Sequence, residues 1–424
     1  MARTALVIGG GLIGVSTAWY LAERDFEVTL LEQREGSALE TSLANGGLIT
    51  PSQSDPWNGP GTFTNLLTWL GREDSPLLLR PRALPGMWRW GLKFLLASRA
   101  VPWWRATEAN LRLGLYSARC IAGLRENLDL RYDSLSAGTL KVFRDAYALE
   151  RSTALAASLA PAGLEHRVLS PREATAMEPL LVPVSAELAG AIHYPLDASG
   201  DAHAFTRGLE RHARKAGVRF LYGTRAESLE ARDGRISVVR TTGGPISADS
   251  YVVAAGNASP GLVAPLGIKL PMYPVKGYSV TVAARPWTRS LGVPLVDFER
   301  KTVLTPLGGR LRIAGTAEFN GFDTELNPRR GANVLRNAMT LVPELAAEAA
   351  QAPVEHWAGL RPMTADGPPI LGPTPVTNLF LNTGHGPLGW TLGAGSARVV
   401  ADLVAGLKPD IELKDLDYAR YARS

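Results

Sequence analysis

An α/β fold in two interleaved units, one a doubly wound parallel sheet and the other an antiparallel sheet, is what this sequence predicts, and three observations carry the expectation. Apolar Ala5-Leu6-Val7-Ile8 runs into a glycine-rich turn, a helical segment and a second apolar run within the first 32 residues. Apolar strands bounded by small residues return late, at Tyr251-Val252-Val253-Ala254-Ala255-Gly256 and Asn378-Leu379-Phe380-Leu381-Asn382-Thr383, with the continuous apolar character of strands covered on both faces. Between them lie alternating runs such as Tyr278-Ser279-Val280-Thr281-Val282, the period of a sheet with two different faces.

The first turn reads Gly9-Gly10-Gly11-Leu12-Ile13-Gly14. The helix follows from Val15 to Ala22, the second strand is Val28-Thr29-Leu30-Leu31, and Glu32 stands directly after it. This is a G-x-G-x-x-G in its strand, turn, helix, strand setting. Gly9 makes the tight turn, Gly11 admits a pyrophosphate close to the backbone, and Gly14 lets the helix pack on the strand. The helix N-terminus offers free N–H groups and a positive dipole end to phosphates. The Glu32 carboxylate suits the two hydroxyls of an adenosine ribose. The reading is dinucleotide binding, with contacts from Gly9, Gly11, Leu12, Ile13 and Gly14 around the pyrophosphate and from Glu32 and Gln33 at the ribose. An acid rather than an arginine at the strand end argues against a 2′-phosphate, and so against NADP.

A second small-residue loop, Thr41-Ser42-Leu43-Ala44-Asn45-Gly46-Gly47, is of the kind that brings backbone N–H groups to a ligand, with Ser42, Asn45, Gly46 and Gly47 as the expected contacts. A helical pattern rich in Trp, Leu and Arg fills residues 76–130, and short strands are expected at 138–144 and across 271–317. The parallel unit resumes with a helix at 201–216 and strands ending at Tyr222 and at Gly256, the latter beside the cofactor. The last strand runs into Gly384-His385-Gly386-Pro387-Leu388-Gly389 and a helix from Trp390 to Leu403. The expected division is therefore 1–75, 197–268 and 355–424 for the dinucleotide unit, and 76–196 and 269–354 for the substrate unit. The strand-helix alternation breaks after the second strand instead of completing six units. By analogy with known folds, that order favours FAD over NAD.

A chain of 424 residues exceeds a single core, and 46% hydrophobic with 20% charged residues is an ordinary globular composition. The net charge of +5 is small for this length, and no nucleic-acid recognition motif accompanies it. Cys120 is the only cysteine, which excludes an intrachain disulfide and Cys-based zinc or iron–sulfur sites; in its helical run it reads as a small core residue, and no metal is expected. Met-Ala-Arg leads straight into the first strand, and no apolar run approaches a membrane span, so a cytoplasmic location is expected.

The Glu32 strand, the 41–47 loop, Tyr273-Pro274-Val275-Lys276-Gly277-Tyr278-Ser279, Gly359-Leu360-Arg361-Pro362-Met363-Thr364-Ala365-Asp366-Gly367-Pro368-Pro369-Ile370-Leu371-Gly372 and Leu381-Asn382-Thr383-Gly384-His385-Gly386-Pro387-Leu388-Gly389-Trp390 together resemble the D-amino acid oxidase superfamily, closest to the small-subunit type of bacterial D-amino acid dehydrogenases. The resemblance runs in order through nearly the whole chain. It implies an FAD-binding, Rossmann-like (GR2-type) domain interleaved with an antiparallel substrate domain. The implied reaction is oxidation of a D-amino acid to an imino acid, hydrolysed to a 2-oxo acid and ammonia, with electrons passed to a respiratory acceptor.

The family's carboxylate-binding arginine maps onto Arg361, whose planar guanidinium can hold a carboxylate through two parallel hydrogen bonds. Gly384, Gly386, Leu388, Gly389 and Trp390 are expected at the flavin edge, where a helix N-terminus favours the negative charge of the reduced ring. His385 is either a base or, the simpler reading, a residue that positions this loop. Lys276 and Tyr278 stand either near the flavin or the substrate entrance, where Tyr278 would touch substrate, or on a solvated strand face. Where relatives carry a second arginine and substrate tyrosines, this chain has Pro387, Val303 and Arg300, so the clamp is Arg361 alone or Arg361 with Arg300. The FAD is expected to be non-covalent, since no Cys or His of the glycine-rich loops is placed for attachment. Two rivals remain: an enzyme of secondary amino acids such as D-proline, hydroxyproline, sarcosine or another N-substituted glycine, and a biosynthetic amine oxidase.

The segment from Arg80 to Arg105 holds six basic residues and Trp88, Trp90, Trp103 and Trp104, with no acid. It reads either as a substrate-domain helix with its aromatics packed inward, the ordinary case, or as an interfacial segment on the inner face of a membrane, where a quinone would be the acceptor.

Overall fold

The structure, a computed structural model, describes residues 3–60, 73, 75–283 and 291–422. Residues 284–290 of the expected sheet region lie outside it. Two large sheets organise the chain. The first has the strand order Ile370–Pro373, Leu379–Thr383, Ser250–Val253, Arg3–Ile8, Phe26–Leu31, Arg219–Leu221. All neighbours are parallel except the first pair. The central strand Arg3–Ile8 places Val7 beside Leu30 on one side and Val252 on the other.

Both faces of this sheet are covered, which is why its strands read as unbroken apolar runs. Helices Leu12–Ala22, Ala202–Lys215 and Gly389–Ala405 bury Val15, Leu21, Phe205, Leu209, Ala397 and Val400 against one face. A three-stranded antiparallel meander, Ala226–Arg232, Arg235–Thr241 and Gly244–Ile246, closes the other with Leu229, Ile236 and Val239. Cys120 is buried in the first of these cores, as its sequence setting suggested.

The second sheet runs Val354–Thr364, Met272–Ala283, Arg310–Phe319, Thr302–Leu307, Leu295–Asp297, Thr139–Phe143, Gly190–Tyr194, Arg167–Leu169, and Leu77–Leu79 joins Arg310–Phe319. Helix Pro328–Leu341, capped by the Asn327 side chain, packs Val334, Ala338 and Leu341 against Val280, Leu304 and Ile313 on one face. On the opposite face, helix Leu84–Ala97 covers one end of the sheet with Trp90 and Phe94, helices Ala100–Leu128 and Ala146–Leu159 cover the other with Leu111 and Leu159, and the middle, with Val296, Val303 and Ala314, faces a cavity. Asp201 joins the two units, because its carboxylate caps helix Ala202–Lys215 through the Ala204 N–H (3.0 Å) and also receives Arg310 (2.8 Å) from the second sheet.

Two sequence expectations change here. Leu77–Leu79 is a strand within the stretch read as helical. The strand Val354–Thr364, assigned from residue 355 to the dinucleotide unit, pairs along its length with Met272–Ala283 in the antiparallel sheet.

Candidate functional site

Between the sheets lies a cavity of ≈ 1050 Å³ that runs from Glu32 and Gln33 at one end to Trp57, Arg361 and Lys301 at the other. Gly9 lies in its wall with φ +115°, and a Cβ there would sit 2.5 Å from the Ala254 carbonyl oxygen. A Cβ on Gly14 would run into the Gly9 carbonyl, so Gly14 packs helix on turn and does not itself line the cavity. Gly11 differs from both. Its φ is −70°, and a Cβ would meet nothing of the protein closer than Ser42 Oγ at 3.6 Å. What a side chain at Gly11 would obstruct is the cavity itself.

Leu12 and Ile13 begin the helix at this wall, where the Leu12 N–H donates to Ser42 Oγ (3.2 Å). Glu32 is buried, its Oε2 accepting from the Gly10 N–H (2.7 Å) and its Oε1 from the Arg34 N–H (2.8 Å). These bonds clamp the carboxylate at the strand end with acceptor capacity left over for hydroxyls.

The 41–47 loop stitches the two sheets together, a role its sequence did not reveal. Thr41 Oγ1 donates to the Leu360 carbonyl (2.8 Å), Ser279 Oγ to that of Ala44 (2.6 Å), Arg312 to that of Asn45 (2.9 Å) and Thr305 Oγ1 to that of Gly46 (2.6 Å). Asn45 also accepts from the Gly47 N–H through its side chain (3.0 Å). The Leu360 carbonyl receives a second bond, from Asn257 Nδ2 (2.9 Å) beside Gly256.

The residue so held is the neighbour of Arg361. Its guanidinium lies flat over Gly277, where any Cβ would collide with it. It makes one long bond to the Thr316 carbonyl (3.4 Å) and sits 5.4 Å from the Trp57 ring centroid. Among the described residues no carboxylate pairs with it, and burial without a counter-charge pulls its pKa down to about 10. Thr316 is the extra residue of a β-bulge between Gly277 and Tyr278, with φ +59°, and its buried Oγ1 has no partner among the described residues. Strain and an orphaned hydroxyl beside an unpaired guanidinium mark a place prepared for a polar ligand.

Two residues beyond Arg361, Met363 bridges to His385 and so brings the carboxyl-terminal loop to the same cavity. Gly384 and Gly386 carry φ +80° and +53°, conformations that allow the loop to fold back as the short 3-10 turn Gly386–Leu388 before helix Gly389–Ala405. The His385 imidazole is buried and bonded through Nε2 to Ser396 Oγ (2.9 Å), and burial lowers its pKa to about 3. The neutral imidazole ties the loop to the helix. Trp390 starts that helix at the cavity wall, while its indole turns into the core and donates to the Gly200 carbonyl (3.0 Å).

Of the residues weighed as neighbours of the substrate, Tyr278 borders the cavity, while Arg300 and Lys276 do not. Arg300 lies outside the cavity, 3.7 Å from the Asp297 carboxylate. The next residue, Lys301, lines the cavity instead, with φ +51°. The Tyr278 ring belongs to the apolar cluster under helix Pro328–Leu341, and its hydroxyl donates to Glu318 (2.6 Å). Lys276 is buried against the Glu325 carbonyl (2.9 Å). Arg300 is thus not part of the cavity wall, and the Tyr278 hydroxyl already donates to Glu318.

Residues 4–403 match the family described as FAD dependent oxidoreductase, DAO. The chain is 47% identical over 424 residues to a D-amino acid dehydrogenase of Paramagnetospirillum magneticum and 40% identical over 417 residues to one of Bradyrhizobium diazoefficiens, with 98% of each chain covered in both cases. In structure it is similar to glycine oxidase from Geobacillus kaustophilus (TM-score 0.76, 26% identity, 99% of both chains). It also shares its fold with L-proline dehydrogenase from P. horikoshii (TM-score 0.78, 20% identity, 100% of this chain and 98% of that one). Since the match spans the glycine-rich turn, the acidic strand end and both sheets around the cavity, the chain belongs to the DAO family of FAD-dependent oxidoreductases.

Proposed function

We propose that the protein is a D-amino acid dehydrogenase that oxidises a D-amino acid to its imino acid, which water converts to a 2-oxo acid and ammonia. The observation that carries this is Arg361, an unpaired guanidinium laid over Gly277 in the same cavity as the Gly384–Gly389 loop. The relatives named D-amino acid dehydrogenase support it. The walls fit FAD, with space at Gly11 for a pyrophosphate, open acceptor positions on Glu32, and a helix start at the loop. No covalent link is proposed. Bound FAD supplies the hydride acceptor.

The protein's share is placement. Arg361 holds the α-carboxylate in two parallel bonds and so fixes which substituents of the α-carbon face the flavin. Thr316 Oγ1, unpartnered beside it, is free to accept from the substrate amine. The loop's backbone N–H groups and helix Gly389–Ala405 offer positive potential where the reduced cofactor is negative. His385 holds that loop through Ser396, and the amine loses its proton to solvent before binding.

The electron acceptor we propose is a membrane quinone. Helix Leu84–Ala97 turns Met87, Trp90 and Phe94 inward, yet leaves Leu84 (50%), Trp88 (59%), Leu92 (54%) and Leu96 (47%) exposed in one i, i+4 stripe, with basic Arg82, Arg89 and Arg99 nearby. An apolar stripe of that kind, rimmed by cations, suits the surface of an anionic bilayer. Among the described residues no helix is long and apolar enough to cross one.

The test is anaerobic bleaching of the flavin by a panel of D-amino acids, their L-enantiomers, glycine, sarcosine and D-proline. Selective bleaching by D-amino acids is expected. Bleaching by glycine and sarcosine but no D-amino acid overturns the reading in favour of the oxidase type that the glycine oxidase likeness suggests.

A further inference from the structure

Beyond Arg361 the cavity continues past Thr316 to a wall that carries Lys301 and Lys141. Both ammonium groups lie against the ring of Phe298, with Nζ 3.6 Å and 5.3 Å from its centroid. Among the described residues neither lysine has a carboxylate within ion-pair distance. The acids nearest in the chain are occupied elsewhere: Asp297 receives Arg144 (2.8 Å) and Glu299 accepts from the Arg144 and Asp145 N–H groups. Asp55, half-buried in the same cavity, acts on Lys301 as Glu299 and Asp297 also do, none of them in an ion pair with it. Two cations therefore share one aromatic ring, and among the described residues no carboxylate forms an ion pair with either. Burial and the Lys141 charge pull Lys301 down to about 8, which is the behaviour of an ammonium short of counter-charge. The Lys301 backbone is left-handed, φ +51°.

The spacing from the carboxylate anchor is set by the sheet. The Arg361 guanidinium lies over Gly277, the strand of Gly277 pairs with Arg310–Phe319, and Gly315 of that strand pairs with Thr302 beside Lys301, so the two anchor points stand about two strand spacings apart, roughly 10 Å. A dicarboxylic amino acid, whose two carboxylates are separated by two or three carbon atoms, spans such a gap.

We propose that Lys301 and Lys141 bind the side-chain carboxylate of the substrate, so that acidic D-amino acids, D-glutamate and D-aspartate, are the preferred class. The inference rests on the reading of this cavity as a D-amino acid dehydrogenase site. Arg361 takes the α-carboxylate, Lys301 and Lys141 take the distal one, and the methylene groups lie over Phe298 and Trp57. Neutral isosteres leave both ammonium groups without a carboxylate partner, which is where discrimination comes from.

The holoenzyme tests this by steady-state kinetics with D-glutamate, D-glutamine, D-alanine and D-lysine. Wild type is expected to favour D-glutamate over D-glutamine by tenfold or more in kcat/KM. Lys301→Met and the Lys141→Met, Lys301→Met double variant should remove most of that ratio, and Lys301→Arg should restore part of it. Glutarate should perturb the flavin spectrum at lower concentration than butyrate in wild type, and not in the double variant; this binding readout does not depend on turnover. Equal use of D-glutamine, a preference for D-lysine drawn by Asp55, or a ratio that survives the double variant each overturns the inference and leaves the D-amino acid reading standing. Failure of every D-amino acid to bleach the flavin overturns both.

Discussion

A methyl group at Gly277 should disable the carboxylate anchor without touching it chemically. The Cβ of Gly277→Ala would occupy the place of Arg361 Cζ and both Nη atoms, so the guanidinium has to swing off the sheet. The atoms that yield are the far end of a flexible side chain. The pairing of Gly277 with Gly359 and Ala317 survives, and alanine restricts the unfolded chain, a gain of up to ~1 kcal/mol. Thermal stability should therefore hold or rise slightly. Catalysis should not: displacement of a positioning group by ~1 Å costs on the order of 100-fold. Arg361→Ala, which leaves the substrate carboxylate unpaired, should lose roughly 2–5 kcal/mol, or about 30- to 4,000-fold in kcat/KM. Arg361→Lys keeps charge but not the two-pronged geometry and should recover only part. The assay is kcat/KM for a D-amino acid and for its amide, beside flavin content and Tm. The amide, lacking the carboxylate, should be poor from the start and lose far less on either substitution. A Gly277→Ala or Arg361→Ala enzyme with full flavin and D-amino acid oxidation within threefold of wild type refutes the anchor.

Four further outcomes are expected. Gly11→Ala should yield a folded chain that purifies colourless, because only the cavity lies beyond that carbon, whereas Gly14→Ala should lower Tm through its collision with the Gly9 carbonyl; a yellow Gly11→Ala protein removes the pyrophosphate from this turn. His385, neutral down to about pH 3, cannot set the acid limb of the kcat/KM profile, so His385→Gln should leave that limb's midpoint unmoved while the substrate amine governs it; a shift of a unit or more makes His385 a base. Asp197 is fully buried under Ser52 and Thr139, and desolvation raises its pKa from 3.8 to about 6. The folded state thus holds its proton more tightly: the gain is complete below about pH 4 and is lost as pH rises through 6, an effect of about 3 kcal/mol. Urea midpoints of Asp197→Asn and wild type should accordingly diverge in the variant's favour between pH 4.5 and 7.5, and parallel curves would contradict this. Finally, the protein should co-sediment with anionic vesicles at low salt and be released by Leu92→Glu or by high salt; equal partitioning to neutral vesicles would count against the exposed stripe as a membrane contact.

Those features that depend on neighbours in the chain were legible in the sequence alone. The turn at Gly9 to Gly14 and its helix are local, since the spacing of three glycines decides both the φ values and the approach of helix to strand. The strands of the parallel sheet announced themselves because they are covered on both faces. Arg361 and the Gly384–Gly389 loop were reached through their motifs. Pairing across the sheets decided the rest. Whether Arg300 or Lys301 enters the cavity depends on one left-handed residue at a strand start, which reverses the face presented; a sequence read without register has no means to see it. Tyr278 became a core residue because Glu318, forty positions on in the neighbouring strand, accepts a hydrogen bond from its hydroxyl. Gly277 is an unremarkable strand glycine until Arg361, two residues along the facing strand from its partner, needs the space above it. The 41–47 loop's four bonds to the antiparallel sheet join residues hundreds of positions apart. Chain-local chemistry thus set the dinucleotide cradle, while long-range register, which no local pattern encodes, set the substrate side of the cavity.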